Sequence, residues 1–145
     1  MKVQVGSKED LHKVVEIITR LIHQGYRLFL LSGELGSGKT TLVQHVGKKL
    51  AVEEAVSSPT FSLVNAYDSP VAGMIYHMDF YRLDKPSDLI QIGLEEYLES
   101  GHICLIEWPG IASDYFFPPY VQIAIELDTN NIRNFNITTY DTVDA

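Results

Sequence analysis

The sequence predicts an α/β fold, and three observations point there. Arg27 to Leu31 is a short, nearly continuous apolar run with Gly25 before it and Gly33 after it, the pattern of a strand buried on both faces of a sheet. Directly after it comes a glycine-rich segment, Gly33 to Gly38, and then Leu42, Val43, Val46 and Leu50 restart at helical spacing. His102 to Ile106 is a second run of the buried-strand kind. Strand, loop and helix in that order imply parallel strands near the glycines, with antiparallel ones elsewhere.

The elements follow from the N-terminus. Ser7-Lys8-Glu9-Asp10 precedes Leu11, Val14, Val15, Ile17, Ile18, Leu21 and Ile22, one apolar stripe along a helix that Ser7 is expected to cap and Gly25 to end. The strand over 27–31 and the helix over 39–50 come next. Thr60 to Val64 and Met74 to Met78 are β-prone runs joined by Asp68-Ser69-Pro70 and Gly73, which predicts a hairpin. Pro86-Ser87-Asp88 starts a short helix that Gly93 breaks, and Leu94 to Leu98 forms another. After the strand over 102–106, Val121 to Ile125 and Asn134 to Thr138 form a final pair of strands joined by the polar turn 128–131.

At 145 residues the chain is expected to be one domain over 1–140 with a polar tail over 141–145. Its composition, 46% hydrophobic and 21% charged, is that of an ordinary globular protein and excludes disordered and coiled-coil classes. No apolar stretch approaches the ~20 residues that span a bilayer, so no membrane partner is expected. The start, MKVQVGSKED, reads as neither a secretory signal nor a transit peptide, which makes the cytoplasm the expected compartment. The single cysteine, Cys104, lies inside an apolar run and reads as a buried small hydrophobe. Charge is uneven: residues 1–50 carry 8 basic and 4 acidic side chains, whereas 51–145 carry 3 and 15. Without a basic stripe the chain is not expected to grip a nucleic-acid backbone by itself.

Gly33-Glu34-Leu35-Gly36-Ser37-Gly38-Lys39-Thr40 fits G-x-x-x-x-G-K-[ST], the P-loop. Glycines let successive backbone N–H groups turn toward phosphate oxygens, and the N-terminus of the next helix adds unpaired donors and a favourable dipole. Lys39 is expected to reach the β- and γ-phosphates and Thr40 to ligate magnesium. A carboxylate must also hold the metal or orient water. Asp79 and Glu107, each ending an apolar run, are the candidates, and Glu107 is preferred because it should lie at the carboxyl edge of the sheet. Ser58-Pro59-Thr60-Phe61 is a candidate switch loop. His77 shares the parity of Asp79 and reads equally as its partner or as a satisfied half-buried histidine, and Arg133, the one Lys or Arg after Lys85, reads as a residue solvated on a turn or as a nucleotide contact. No N-K-x-D selects guanine, and the chain is short for a kinase lid.

With the P-loop, Ser58-Pro59-Thr60-Phe61, His77-x-Asp79-x-Tyr81-Arg82, Gly93-Leu94-Glu95-Glu96-Tyr97 and Leu105-Ile106-Glu107-Trp108-Pro109 in this order, the chain resembles the TsaE family along nearly its whole length. The resemblance implies a P-loop NTPase-like three-layer fold with a mixed, partly antiparallel sheet. It further implies an ATPase, slow alone, required for threonylcarbamoyl modification of adenosine 37 in tRNAs that read codons starting with A. Its partners would be TsaB and TsaD type proteins, with tRNA reached only through them. By position, Gly33 to Thr41 would bind the nucleotide, Lys39, Asp79 and Glu107 would be catalytic, and Thr40, Asp79 and Glu107 would hold magnesium. Thr60 would belong to the switch and Trp108 to the site wall, with Ser7 and Arg133 as further nucleotide contacts. Glu34 stands where the family often has Asp. Two other readings are a small-molecule kinase and a nucleotide-gated binding module whose hydrolysis is incidental.

Overall fold

The computed structural model describes residues 1–57, 59 and 63–141. Its elements are β1 (Lys2–Val5), α1 (Leu11–His23), β2 (Leu28–Ser32), α2 (Lys39–Lys49), β3 (Val64–Ser69), β4 (Gly73–Asp79), α3 (Ser87–Ile92), α4 (Leu94–Glu99), β5 (Ile103–Glu107), β6 (Tyr120–Leu127) and β7 (Arg133–Tyr140). Short 3-10 turns occupy Lys8–Asp10 and Pro109–Tyr115. Among the described residues the seven strands form one sheet in the order β1-β7-β6-β2-β5-β4-β3. The four central strands, β6, β2, β5 and β4, run parallel, and β3, β7 and β1 are antiparallel to their neighbours. The mixed α/β architecture expected from the sequence is therefore present, with the glycine loop leaving the middle of the sheet.

Side-chain alternation along the central strands sorts the core into two layers. Phe29 and Leu31 of β2 and Ile103 and Leu105 of β5 join Val14, Ile18, Leu42 and Val46 of α1 and α2 on one face. Leu30, Cys104 and Ile106 meet Leu89 of α3, Leu94 of α4 and Ala112 on the other. Burial of both faces explains why these strands read as continuous apolar runs. Truncation of a fully buried leucine such as Leu42 is expected to cost about 2–5 kcal/mol.

Several local expectations are corrected. Ser7 does not cap α1: the chain is already helical at Lys8–Asp10, the Asp10 N–H donates to the Ser7 carbonyl, and the Ser7 hydroxyl donates to Asp10 Oδ2 at 3.4 Å. The position before α1 is Asp10, in helical conformation and with no side-chain cap. In the hairpin, β3 extends through Asp68 and Ser69, which the sequence assigned to the turn, because Tyr67 and Ser69 alternate inward and are buried. The buried Ser69 hydroxyl donates to the Leu50 carbonyl at 2.6 Å and accepts from the N–H groups of Val71 and Ala72, closing the turn. Thr60 to Ser62 lie outside the described residues, as does 142–145 of the expected tail. Asp141 is described, and its Oδ1 accepts a hydrogen bond from the Tyr26 hydroxyl. Strand β1 was not expected; four residues with one buried side chain leave too little pattern, and pairing with β7 defines them.

Cys104 is the small core residue its context implied, 2% exposed, and burial pushes its thiol up to about 12. It stays a neutral thiol through the ordinary pH range. A thiol reagent at pH 8 is expected to label native protein at least tenfold more slowly than protein unfolded in guanidinium; equal rates would contradict this packing.

Candidate functional site

The loop between β2 and α2 is shaped by a glycine with no room for a side chain and a second whose backbone is left-handed. Gly33 has φ +150°, and a Cβ there would stand 2.7 Å from Ser37 Oγ and 2.8 Å from the Ile125 carbonyl oxygen. Gly38, at φ +111°, immediately precedes α2 and lies under the Arg133 side chain. Within the loop the Ser37 N–H donates to the Glu34 carbonyl at 3.0 Å, closing a tight turn. Lys39, only 5% exposed, folds back over it. Its Nζ donates to the carbonyl oxygens of Gly33 at 2.5 Å and Glu34 at 3.0 Å and lies 4.2 Å from the centre of the Trp108 ring. Burial lowers the Lys39 pKa, while the negative charges of Glu107 and Asp79 act in the opposite direction and favour its ammonium form.

The acids arrive from the sheet. Strands β4 and β5 pair in parallel with Asp79 opposite Glu107, so both stand at the carboxyl end of adjacent strands. Glu107 has the parity of Ile103 and Leu105 and therefore faces α2. There the Thr40 hydroxyl lies 3.1 Å from each of its carboxylate oxygens. His77 shares the face of Asp79, as its parity indicated, but its Nε2 lies 2.5 Å from Glu107 Oε2 and its Nδ1 has no hydrogen-bond partner among the described residues. Its partner is thus Glu107, on the neighbouring strand, and not Asp79. Asp79 Oδ1 accepts the Tyr81 N–H at 3.0 Å. The Tyr81 ring lies 4.9 Å from that of Trp108, whose backbone is left-handed at φ +55°.

The far end of the loop is held by Arg133, the first residue of β7, whose Nε donates to the Ser37 carbonyl at 2.9 Å. Strand β1 ends at Val5, opposite Arg133. Ser7 follows two residues later; its described hydroxyl contact is with Asp10, and the structure does not bring it into the clefts beside the loop. The candidate switch residue Thr60 is outside the described residues. A cleft of about 260 Å³ brings together Lys39, Thr40, Thr41, Asp79, Glu107 and Arg133, with Leu35, Tyr81 and Trp108 at its walls. A larger one, about 840 Å³, lies on the other side of the loop, between Gly33–Ser37, Trp108–Gly110 and β6.

The donor set suits a hard divalent cation: one hydroxyl and two carboxylates, all oxygen. Among the described residues no cluster of three or more His, Cys, Asp or Glu forms a cage. Magnesium does not require one, since it usually keeps waters and is held by one or two carboxylates together with phosphate oxygens. The contacts of His77 and Tyr81 could not be assigned from the sequence. Parity placed His77 on the correct face, but only the β4–β5 register shows which acid it meets.

The sequence matches a family model described as "Threonylcarbamoyl adenosine biosynthesis protein TsaE" over residues 5–135. Proteins bearing the name tRNA threonylcarbamoyladenosine biosynthesis protein TsaE are similar along most of their length. The one from Haemophilus influenzae is 41% identical over 127 residues, covering 86% of this chain and 78% of its own. That from Rickettsia conorii is 33% identical over 136 residues, covering 93% and 76%. The crystal structure of Bacillus subtilis YdiB superposes with a TM-score of 0.76 at 25% identity, covering 96% of this chain and 84% of that one.

Because the Gly33 Cβ would collide with backbone as well as side chain, Gly33→Ala is expected to destabilise the fold by about 1–3 kcal/mol. A thermal melt should fall by several degrees; a midpoint equal to wild type would show that the loop is not so confined.

Proposed function

This chain belongs to the TsaE family, and on that premise we propose that it binds ATP with magnesium, hydrolyses it slowly by itself, and serves threonylcarbamoyl modification of adenosine 37 in tRNA. The observation that supports this most is the meeting of Thr40 and Glu107 at 3.1 Å at the foot of the glycine loop, with the Lys39 ammonium on the same loop. A hydroxyl and a buried carboxylate so placed form half of a cation site; phosphate oxygens would complete it.

Lys39 would exchange its contacts with the Gly33 and Glu34 carbonyls for phosphate oxygens, and the loop amides with the α2 N-terminus would take the remaining phosphate charge. Thr40, Glu107 and Asp79 would hold magnesium, which would supply positive charge to neutralise the phosphates. Glu107 or Asp79 would orient water for in-line attack, and Asp79 is the less enclosed of the two. Trp108 and Tyr81 would wall the site, and Arg133, fixed to the loop through Nε, would offer its terminal nitrogens to phosphate or ribose. A guanidinium supplied at the transition state is worth roughly 10³–10⁵ in rate. Partners of the TsaB and TsaD type would raise turnover by supplying such a group or by ordering the site, and would carry the tRNA, since this chain with a net charge of −8 is poorly suited to do so. Among the described residues no helix is long and apolar enough to cross a membrane.

Glu107→Gln is expected to lower kcat for phosphate release by about 10²–10³, with Lys39→Ala at least as damaging. Hydrolysis within threefold of wild type in either variant would contradict the assignment. Added TsaB and TsaD type proteins should raise the wild-type rate at least tenfold, and an unchanged rate would exclude control by these partners.

A further inference from the structure

We propose that His77 is a positioning residue for Glu107, and that its imidazole sets the orientation in which this carboxylate meets the cation. The inference rests on the magnesium–ATP reading above and adds to it a residue that would not touch nucleotide or metal. His77 is 0% exposed in the middle of β4, opposite Leu105 on β5 and Asn65 on β3. An apolar side chain would fill that space without the cost of burying a polar ring whose Nδ1 is unpaired among the described residues. What the ring supplies is one short contact, Nε2 to Glu107 Oε2 at 2.5 Å. Nε2 is the ring nitrogen that meets an acceptor, so it is assigned the hydrogen.

That contact divides the carboxylate. Oε2 is shared between His77 and Thr40, whereas among the described residues Oε1 meets the Thr40 hydroxyl. A Glu side chain has three rotatable bonds and, at a strand end, several orientations to choose from. Tying Oε2 to a ring that is itself fully buried on β4 removes most of them, leaving Oε1 beside the hydroxyl that is the other candidate ligand. Groups that orient a ligand in this way typically contribute 10- to 100-fold to metal affinity or activity.

The test uses His77→Leu, which fills the volume without a donor, and His77→Gln, whose amide nitrogen reaches about as far as Nε2. Binding of a non-hydrolysable ATP analogue is measured by calorimetry with magnesium and with EDTA, alongside the magnesium concentration for half-maximal hydrolysis. In His77→Leu the gain in affinity from magnesium should shrink, and half-saturation should rise, by 10- to 100-fold, with binding in EDTA within twofold of wild type. His77→Gln should restore both to within about threefold. If His77→Leu does not melt cooperatively, His77→Asn, polar but too short to reach Glu107, takes its place against His77→Gln. Magnesium dependence like that of wild type in a folded His77→Leu or His77→Asn, or no advantage of Gln over either, would overturn the proposal. A wild-type protein that gains no affinity from magnesium would overturn the metal reading itself, and the role of His77 with it.

Discussion

A carboxylate taken out of water costs several kcal/mol unless charges and donors around it compensate, and Glu107, 2% exposed at the end of a central strand, is under that constraint. The structure meets it with Thr40 from the first turn of α2, His77 from β4 and the ammonium of Lys39 nearby. Each of these depends on a different part of the fold. Thr40 requires that α2 begin directly after Gly38; His77 requires that β4 and β5 pair in parallel in the observed register; Lys39 requires that the loop turn back over its own carbonyls. The same set of contacts thus joins helix, loop and sheet.

The wider architecture sorts itself around this junction. Strands buried on both faces carry helices on both, and the alternation of β2, β4 and β5 sends Leu31, Asp79 and Glu107 to the side of α2. Since α2 starts at the carboxyl ends of those strands, the helix N-terminus and both acids converge at the edge where ligands of open α/β sheets bind. The antiparallel strands contribute differently: β7, folded back along β6, returns Arg133 to the outer side of the loop, where it holds the Ser37 carbonyl. A cation lying 96 residues downstream of its partner in sequence is adjacent to it in space.

What could be read beforehand was whatever local pattern determines. The loop, strands β2 and β5 and the acids at strand ends were legible because glycine freedom, two-sided burial and a polar residue closing an apolar run are written in consecutive residues. Register is not, so parity alone pairs His77 with Asp79, although the ring reaches across to Glu107. Nor was β1, whose four residues acquire strand character only from β7. Ser7 illustrates a third limit: its type suits a helix cap, but the 3-10 turn ahead of α1 uses its carbonyl instead. The left-handed backbone of Trp108, which turns its ring over Lys39, has no local signal such as glycine to announce it.

On the proposed function, this junction holds a metal-bound triphosphate. The measurement that tests it most directly is a crystal structure of the intact chain with magnesium and a non-hydrolysable ATP analogue. The account predicts a cation about 2.0–2.1 Å from Thr40 Oγ1, Glu107 within reach of it directly or through one water, and Lys39 Nζ moved from the Gly33 carbonyl to a phosphate oxygen. A nucleotide bound away from Gly33–Thr40, or phosphates in the loop with Lys39 still on its own carbonyls and no cation beside Thr40, would contradict it.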